Sequence, residues 1–68
     1  MSLTTKIREY RVRDKLNQEE LAQKVGVRRE TIGNLENGKY NPSLKLAMDI
    51  AKVFGRTVEE VFAFREEE

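Results

Sequence analysis

The sequence predicts an all-helical domain, a compact bundle of five helices that contains a helix-turn-helix. Apolar residues recur at helical spacing in successive short segments, and glycine or proline separates one segment from the next. In residues 17–40, two such segments of about eight residues each flank Gly26, and neither is long enough to form a stable helix alone. Two short helices joined by a tight turn are typical of a helix-turn-helix, which here spans about residues 18–36.

The first helix is predicted from Thr5 to Asp14, because Ile7, Tyr10 and Arg11 lie at positions i, i+3 and i+4. An arginine on such an inward stripe is usually an amphipathic stem whose charged head reaches water. The preceding residues, 1–4, carry no clear signal, so no element is predicted there.

Helix 2 is predicted to begin after Asn17, which stands three residues before Glu20 in the spacing of a capping box. Leu21, Ala22 and Val25 fall on one helical face, as a buried stripe requires. The glycine that follows suits the left-handed position at which helices commonly end.

Helix 3 is predicted from about Arg28 to Glu36, with Ile32 and Leu35 facing the core. The opposite face is polar, and its residue types can hydrogen-bond base edges: arginine suits guanine, asparagine suits adenine, and a carboxylate suits the cytosine amino group. A face that only contacts water would be equally polar, so composition leaves both interpretations open. Gly33 favours base contact, because an exposed mid-helix glycine costs ~1 kcal/mol relative to alanine and close approach of another surface is one reason to keep it.

Helix 4 is predicted to begin after Ser43, since Pro42 interrupts the preceding pattern and serine is a good helix cap. Leu46 and Val53 lie off its inner stripe as leftover apolar residues, and Gly55 ends it. The stripe itself consists of Leu44, Ala47, Ile50, Ala51 and Phe54.

A second capping box, Thr57 and Glu60, opens a short helix 5. It places Val58, Val61 and Phe62 inward, and the period-two alternation that follows predicts a short strand near residues 62–65. The predicted core of the whole bundle is Leu21, Ala22, Val25, Ile32, Leu35, Leu44, Ile50, Phe54 and Val61.

Length and composition predict one small domain over residues 1–68. With no cysteine for disulfides and no apolar run near ~18 residues, we expect a cytoplasmic protein without a membrane segment. Residues 1–56 carry 12 Lys and Arg against 7 Asp and Glu, whereas residues 57–68 carry 1 against 5. The body is therefore basic, and we expect a solvated acidic tail over residues 65–68.

Catalysis is not predicted. Histidine and cysteine are absent, which removes the usual metal ligands and the commonest general base. Ser2 and Ser43 are the only serines, neither stands in a nucleophile-elbow sequence, and no glycine-rich phosphate loop is present. We expect no enzyme activity, no cofactor, no metal ion and no small-molecule ligand.

The chain resembles the Cro- and lambda-repressor-like helix-turn-helix domains, also called the XRE family, over roughly residues 5–62. Two residues depart from the family pattern: Arg28 replaces the usual serine or threonine cap, and Arg56 stands where an apolar residue is common. The resemblance implies a five-helix domain that binds duplex DNA, usually as a dimer. It rests on Asn17-Gln18, Glu20-Leu21-Ala22, Val25-Gly26-Val27, Ile32, Leu35-Glu36-Asn37-Gly38, Asn41-Pro42-Ser43-Leu44, Ile50-Ala51 and Phe54-Gly55.

The resemblance also implies that Arg11 pairs with Glu36, which would tie helix 1 to helix 3. The chemistry of helix 3 and its docking in such domains predict base contacts from Arg29, Glu30, Thr31 and Asn34. Contacts to the DNA backbone are predicted for Asn17, Gln18, Arg28, Asn37, Lys39 and Tyr40. For Gln18, a helix-start residue that only faces water is the alternative.

The predicted function is sequence-specific binding of a palindromic operator in double-stranded DNA by a homodimeric transcriptional regulator, expected to be a repressor. The expected location is the cytoplasm, at the nucleoid when bound to DNA. The expected dimer interface consists of Val58, Val61, Phe62 and Phe64, with Leu46 and Val53 as lesser contributors. The acidic tail next to Phe62 and Phe64 leaves open an alternative function, that of a protein-interaction module such as an antitoxin or anti-regulator.

Overall fold

The computed structural model describes residues 2–65 and contains five helices and two short strands. It confirms the predicted five-helix bundle and the C-terminal strand, and it adds a strand at the N-terminus. The expected acidic tail lies outside the described residues except for Arg65. In chain order the elements are β1 (Ser2–Thr5), α1 (Ile7–Arg13), α2 (Gln18–Val25), α3 (Arg29–Glu36), α4 (Leu44–Phe54), α5 (Val58–Val61) and β2 (Phe62–Arg65).

Three of the helices begin at the side-chain caps that the sequence predicts. The Asn17 side chain accepts from the Glu20 N–H at 2.7 Å, and the Glu20 carboxylate accepts in return from the Asn17 N–H at 3.0 Å. Ser43 caps α4, and Thr57 caps α5 in a second capping box. The cap position of α3 is Arg28, whose side chain makes no capping hydrogen bond. The start of α3 is therefore held by packing and by other contacts, described below.

The core lies between the five helices, and α4 contributes most to it. Its buried residues follow positions i, i+1, i+4, i+5 and i+8, from Leu46 to Phe54. The prediction for Leu44 and Leu46 was wrong: Leu44 is 73% exposed, and Leu46 is buried. Leu44 is the first residue of α4, and helical side chains lean toward the N-terminus, so this one projects past the end of the bundle. Val25 is only partly buried and packs against the core from its edge.

The two strands pair antiparallel, with Leu3 opposite Phe64 and Thr5 opposite Phe62. Between β1 and α1, the Lys6 N–H donates to the Val61 carbonyl at 2.8 Å. Local sequence could not reveal β1, because its partner strand lies at the other end of the chain. Leu3 is 7% exposed and is part of the core.

The strand pairing also corrects the expected dimer interface. Val61 and Phe62 are buried within one protomer, because α5 and β2 pack onto the bundle and β1 covers β2. Leu46 is likewise a core residue. Of the main predicted interface residues, Phe64 is exposed and Val58 is half-buried. None of the helices in residues 2–65 is long and apolar enough to cross a membrane.

Candidate nucleic-acid interface

Helix α3 has two faces with opposite surroundings. Ile32 and Leu35 are completely buried against the bundle. On the opposite side Glu30 and Asn34 are exposed, at the i, i+4 spacing that places two side chains on one helical stripe, and Thr31 is half-buried beside them. Arg29 is exposed as well and flanks that stripe, so the four predicted base-contacting residues lie on the accessible side of α3.

An ion pair fixes the C-terminal end of α3 to α1. Arg11 Nε donates to Glu36 Oε2 at 2.8 Å, and Arg11 Nη2 donates to Oε1 at 3.2 Å. The two side chains are only 14% and 9% exposed. Arg11 Nη1 also donates to the Leu16 carbonyl at 3.1 Å, so all three nitrogens of the guanidinium donate a hydrogen bond within the domain. A two-point contact of this kind holds both side chains in one geometry.

The side-chain amide of Gln18 connects this pair to the first turn of α3. Gln18 Nε2 donates to Glu36 Oε1 at 3.4 Å, and Gln18 Oε1 accepts from Arg29 Nη1 at 3.3 Å. The Glu36 carboxylate thereby sets the orientation of the amide, with its oxygen toward Arg29. The structure brings Gln18 and Arg29, predicted as a backbone contact and a base contact, into direct contact with each other. Sequence reasoning missed this contact, because the two residues lie on different helices.

Gly33 lies beside the same amide. A Cβ at this position would be 3.7 Å from Gln18 Nε2 and 3.9 Å from Oε1, which is ordinary van der Waals contact. The fold itself therefore does not require glycine at position 33.

The loop after α3 starts with a Schellman motif. The Gly38 N–H donates to the Leu35 carbonyl at 3.0 Å, and the Lys39 N–H donates to the Asn34 carbonyl at 2.8 Å. Lys39 is exposed, and Tyr40 is 40% exposed. Both side chains thus project from a turn that is fixed to the end of α3. Asn37 precedes the turn and is exposed as well.

Two other predicted backbone contacts lie at helix starts. Asn17 is exposed, but its side-chain oxygen is used in the cap of α2, which leaves the amide N–H groups as its donors. Arg28 is exposed, and its side chain makes no capping hydrogen bond at the start of α3. Among the exposed predicted contacts, Arg28, Arg29 and Lys39 are cationic and Glu30 is the one anionic residue. This balance favours an anionic partner.

The residues with shifted pKa values lie away from α3. A hydrogen bond from Arg13 lowers the pKa of Asp14 and raises the pKa of Arg13 itself. A hydrogen bond from the Thr57 N–H lowers the pKa of Glu60. These shifts belong to a surface ion pair and a helix cap. In residues 2–65 there is also no group of three or more acidic, histidine or cysteine side chains that could hold a metal ion.

The model of the helix-turn-helix family matches residues 7–61. The chain belongs to this family. The match runs from α1 to α5. It includes every residue predicted to contact DNA, both on the helices and in the loop after α3. The resemblance to the Cro- and lambda-repressor-like helix-turn-helix domains is therefore confirmed.

The relatives of this helix-turn-helix protein are small regulators. It is 59% identical over 66 residues to an uncharacterised HTH-type transcriptional regulator of Archaeoglobus fulgidus, covering 97% of this chain and 93% of the relative. It is 38% identical over 58 residues to the cryptic phage CTXphi transcriptional repressor RstR of Vibrio cholerae, covering 85% of this chain and 52% of that one. The chain is thus a transcriptional regulator with a helix-turn-helix DNA-binding domain, in a family that is not an enzyme class.

A solved structure supports the same conclusion at the level of the fold. The restriction-modification controller protein C.AhdI of Aeromonas hydrophila superposes with a TM-score of 0.72 at 33% identity, covering 79% of this chain and 82% of that one.

Proposed function

We propose that this regulator is a repressor that binds a palindromic operator in double-stranded DNA as a homodimer, with α3 in the major groove. The observation that carries this proposal is the hydrogen-bonded series from Arg11 through Glu36 and Gln18 to Arg29. It fixes the start of α2 relative to the accessible face of α3. A helix-turn-helix needs this geometry, because one helix meets the DNA backbone while the other reads bases.

Base reading is assigned to Arg29, Glu30, Thr31 and Asn34 on the accessible face of α3. Backbone contacts are assigned to Gln18 at the start of α2, to Asn17, Arg28 and Asn37, and to Lys39 and Tyr40 in the following loop. The N-terminus of a helix favours an anion through its free N–H groups and its dipole, which suits Gln18 for a phosphate. The proposed site of action is the cytoplasm, at the nucleoid when the protein is bound to DNA.

Substitution of Arg29 and of Lys39 should distinguish recognition of bases from contact with the DNA backbone. The Arg29 fork can span the two acceptors of guanine, whereas the Lys39 ammonium neutralises a phosphate. Arg29→Ala should cost ~1–3 kcal/mol on the operator and relax preference at one base pair per half-site. Lys39→Ala should weaken all sequences alike and lower the salt slope by about one per protomer.

The measurement is affinity for the operator and for singly substituted operators at several salt concentrations, with a fragment search of genomic DNA to supply the operator. Equal losses on all sites for Arg29→Ala would make Arg29 a backbone contact. An altered base preference for Lys39→Ala would make the loop a reader. Partner binding that is insensitive to salt would instead support the protein-interaction alternative, because phosphate contacts weaken as salt rises.

The dimer is proposed to form through the outer face of α4 and α5. Leu44 and Met48 are 73% and 54% exposed and lie at i, i+4 on α4, and Met48 and Val58 line an apolar groove between the two helices. Its proposed occupant is a second copy, because one domain reads only a few base pairs and a two-fold pair doubles the site.

Met48→Lys should therefore convert the protein to a monomer in analytical ultracentrifugation. Val12→Lys is the matched control, since Val12 is a 63% exposed apolar residue on α1, outside this groove, and it should remain a dimer. A wild-type protein that is monomeric at high micromolar concentration, both free and on DNA, would contradict the dimer.

Gly33→Ala should have opposite effects on stability and on DNA binding. Alanine is favoured over glycine by about 0.5–1 kcal/mol within a helix, and the added methyl has room beside Gln18. Against a closely approaching groove the same methyl should clash, which would reduce affinity about tenfold. Thermal unfolding and a binding titration on one preparation measure both effects. Unchanged affinity would show that DNA does not approach this position closely.

A further inference from the structure

Strand β1 lies directly against the turn that ends the recognition helix α3. Gly38 has a φ of +67°, and a Cβ placed on it would be 2.6 Å from the carbonyl oxygen of Leu3, which is a backbone atom. Gly26 and Gly55 have nearly the same φ, +74° and +66°, but a Cβ on either would meet nothing within 4 Å. Contact with a neighbouring strand therefore distinguishes Gly38 from the other helix-ending glycines.

The turn at Gly38 is held from the side of α3 as well. The N–H groups of Gly38 and Lys39 donate to the carbonyls of Leu35 and Asn34 in the last turn of the helix. A shift of the loop away from α3 would break these hydrogen bonds, and a shift toward the bundle would push it into Leu3. The position of Lys39 is thus defined by two separate contacts.

Strand β1 is itself braced from behind. The Leu3 side chain is buried in the core, and its residue pairs with Phe64 of β2. At the other end of the strand, the Lys6 N–H donates to the Val61 carbonyl. The strand is therefore a fixed support rather than a loose arm.

We propose that β1 is a positioning element for the DNA-backbone contacts of the loop after α3, acting through the Leu3 backbone on Gly38. The inference rests on the proposed DNA-binding function and adds residues that touch no DNA. A loop that is already fixed loses less conformational freedom when its cation meets a phosphate, so more of the interaction appears as affinity. Leu3 and Gly38 are positioning residues, and Lys39 and Tyr40 make the contact.

The test compares asparagine at two glycines with the same backbone conformation. Asparagine tolerates positive φ better than other residues, so Gly38→Asn adds mainly the contact with Leu3. Gly55→Asn is the matched control, since its Cβ meets open space. Circular dichroism gives the folded fraction of each variant, and affinity for wild-type operator DNA is measured at several salt concentrations at a temperature where each is folded.

We expect Gly38→Asn to lower DNA affinity at least about tenfold and the salt slope by about one per protomer, with base preference unchanged, as loss of one phosphate contact predicts. Gly55→Asn should bind like the wild type. Wild-type affinity and slope for folded Gly38→Asn would overturn the proposal. So would an equal loss in both variants.

A second pair of variants tests the strand without altering the loop, and serves if Gly38→Asn does not fold. Leu3→Ala loosens β1, and Leu46→Ala removes the same side chain from a position of similar burial in α4. We expect only Leu3→Ala to lower the salt slope. Lys39→Ala run in parallel separates the two levels: if it lowers the slope and Leu3→Ala does not, only the positioning role fails. If it leaves the slope unchanged, Lys39 neutralises no phosphate, and the assignment of Lys39 falls together with the positioning role.

Discussion

Glu36→Ala is expected to destabilise the domain by roughly 2–4 kcal/mol, because it leaves the partly buried Arg11 guanidinium without its partner. This loss is slightly below the roughly 3–5 kcal/mol that is usual when a fully buried pair is broken, because the two side chains retain 14% and 9% exposure. The substitution also removes the acceptor of Gln18 Nε2. A domain of this size is stable by about 3–10 kcal/mol, so the change removes a large share of the total.

Urea denaturation measures this loss, and the chain offers a matched control. Lys45 and Asp49 form an i, i+4 ion pair of 2.7 Å on α4, with side chains 86% and 37% exposed. Lys45→Ala should cost at most about 0.5 kcal/mol. If Glu36→Ala and Lys45→Ala have the same midpoint, the partly buried pair of Arg11 and Glu36 contributes no more than a surface pair.

A second consequence concerns the double variant of this partly buried pair. Replacing both Arg11 and Glu36 by apolar residues of similar size leaves no unpaired charge, so part of the loss in Glu36→Ala should be recovered. Recovery will be incomplete, because Arg11 also donates to the Leu16 carbonyl. DNA binding should not recover with stability, since Gln18 would still lack the carboxylate that orients its amide.

Gly38→Ala is expected to be the most damaging of the single glycine substitutions, with a loss of about 2–5 kcal/mol. A left-handed φ costs alanine roughly 1–2 kcal/mol, and the contact of its Cβ with the Leu3 carbonyl adds an overpacking term of about 1–3 kcal/mol. The neighbouring atom is backbone in a paired strand, so it cannot move aside as a flexible side chain would.

Gly26→Ala and Gly55→Ala isolate the backbone term, because both have positive φ and open space around the added Cβ. Each should lose only roughly 1–2 kcal/mol. Thermal unfolding resolves these classes, since 1 kcal/mol shifts the midpoint by about 4–8 °C in a domain of this length. Three equal shifts would mean that the Leu3 contact carries no strain.

The elements that the sequence predicted correctly are those specified by neighbouring residues. The three predicted helix caps each depend on two residues that are three positions apart, and all three are present. They are the capping boxes at Asn17 and Thr57 and the cap at Ser43. Helical periodicity alone did not predict which leucine of α4 is buried: it placed Leu44 in the core, whereas the structure buries Leu46. Their angular distances from the centre of the α4 stripe are similar, and the position of Leu44 at the end of the bundle decides which is buried.

The features that the sequence could not predict join distant segments. Nothing near Leu3 indicates a strand, because its partner is Phe64. The Gln18 amide between Glu36 and Arg29 depends on the packing of two helices and on three rotamers together. For the candidate site, residue types and helical faces could be predicted, whereas the contacts that orient those residues required the three-dimensional structure.

The pairing of β1 with β2 has a consequence for the order in which the domain folds. Thr4 and Ala63 are 59 positions apart, so pairing β1 with β2 closes nearly the whole chain into a loop. The helices, in contrast, form from local contacts. Each strand has only four residues, so their pairing offsets little of the conformational entropy lost on closing the loop. The two-stranded sheet is fixed in the folded domain, but it should assemble last and open first when the domain is warmed toward unfolding. Amide hydrogen exchange would show this as faster exchange at Thr4 and Ala63, whose pair alternates with that of Lys6 and Val61 in the ladder, than at Leu21; equal protection would indicate a single cooperative unit.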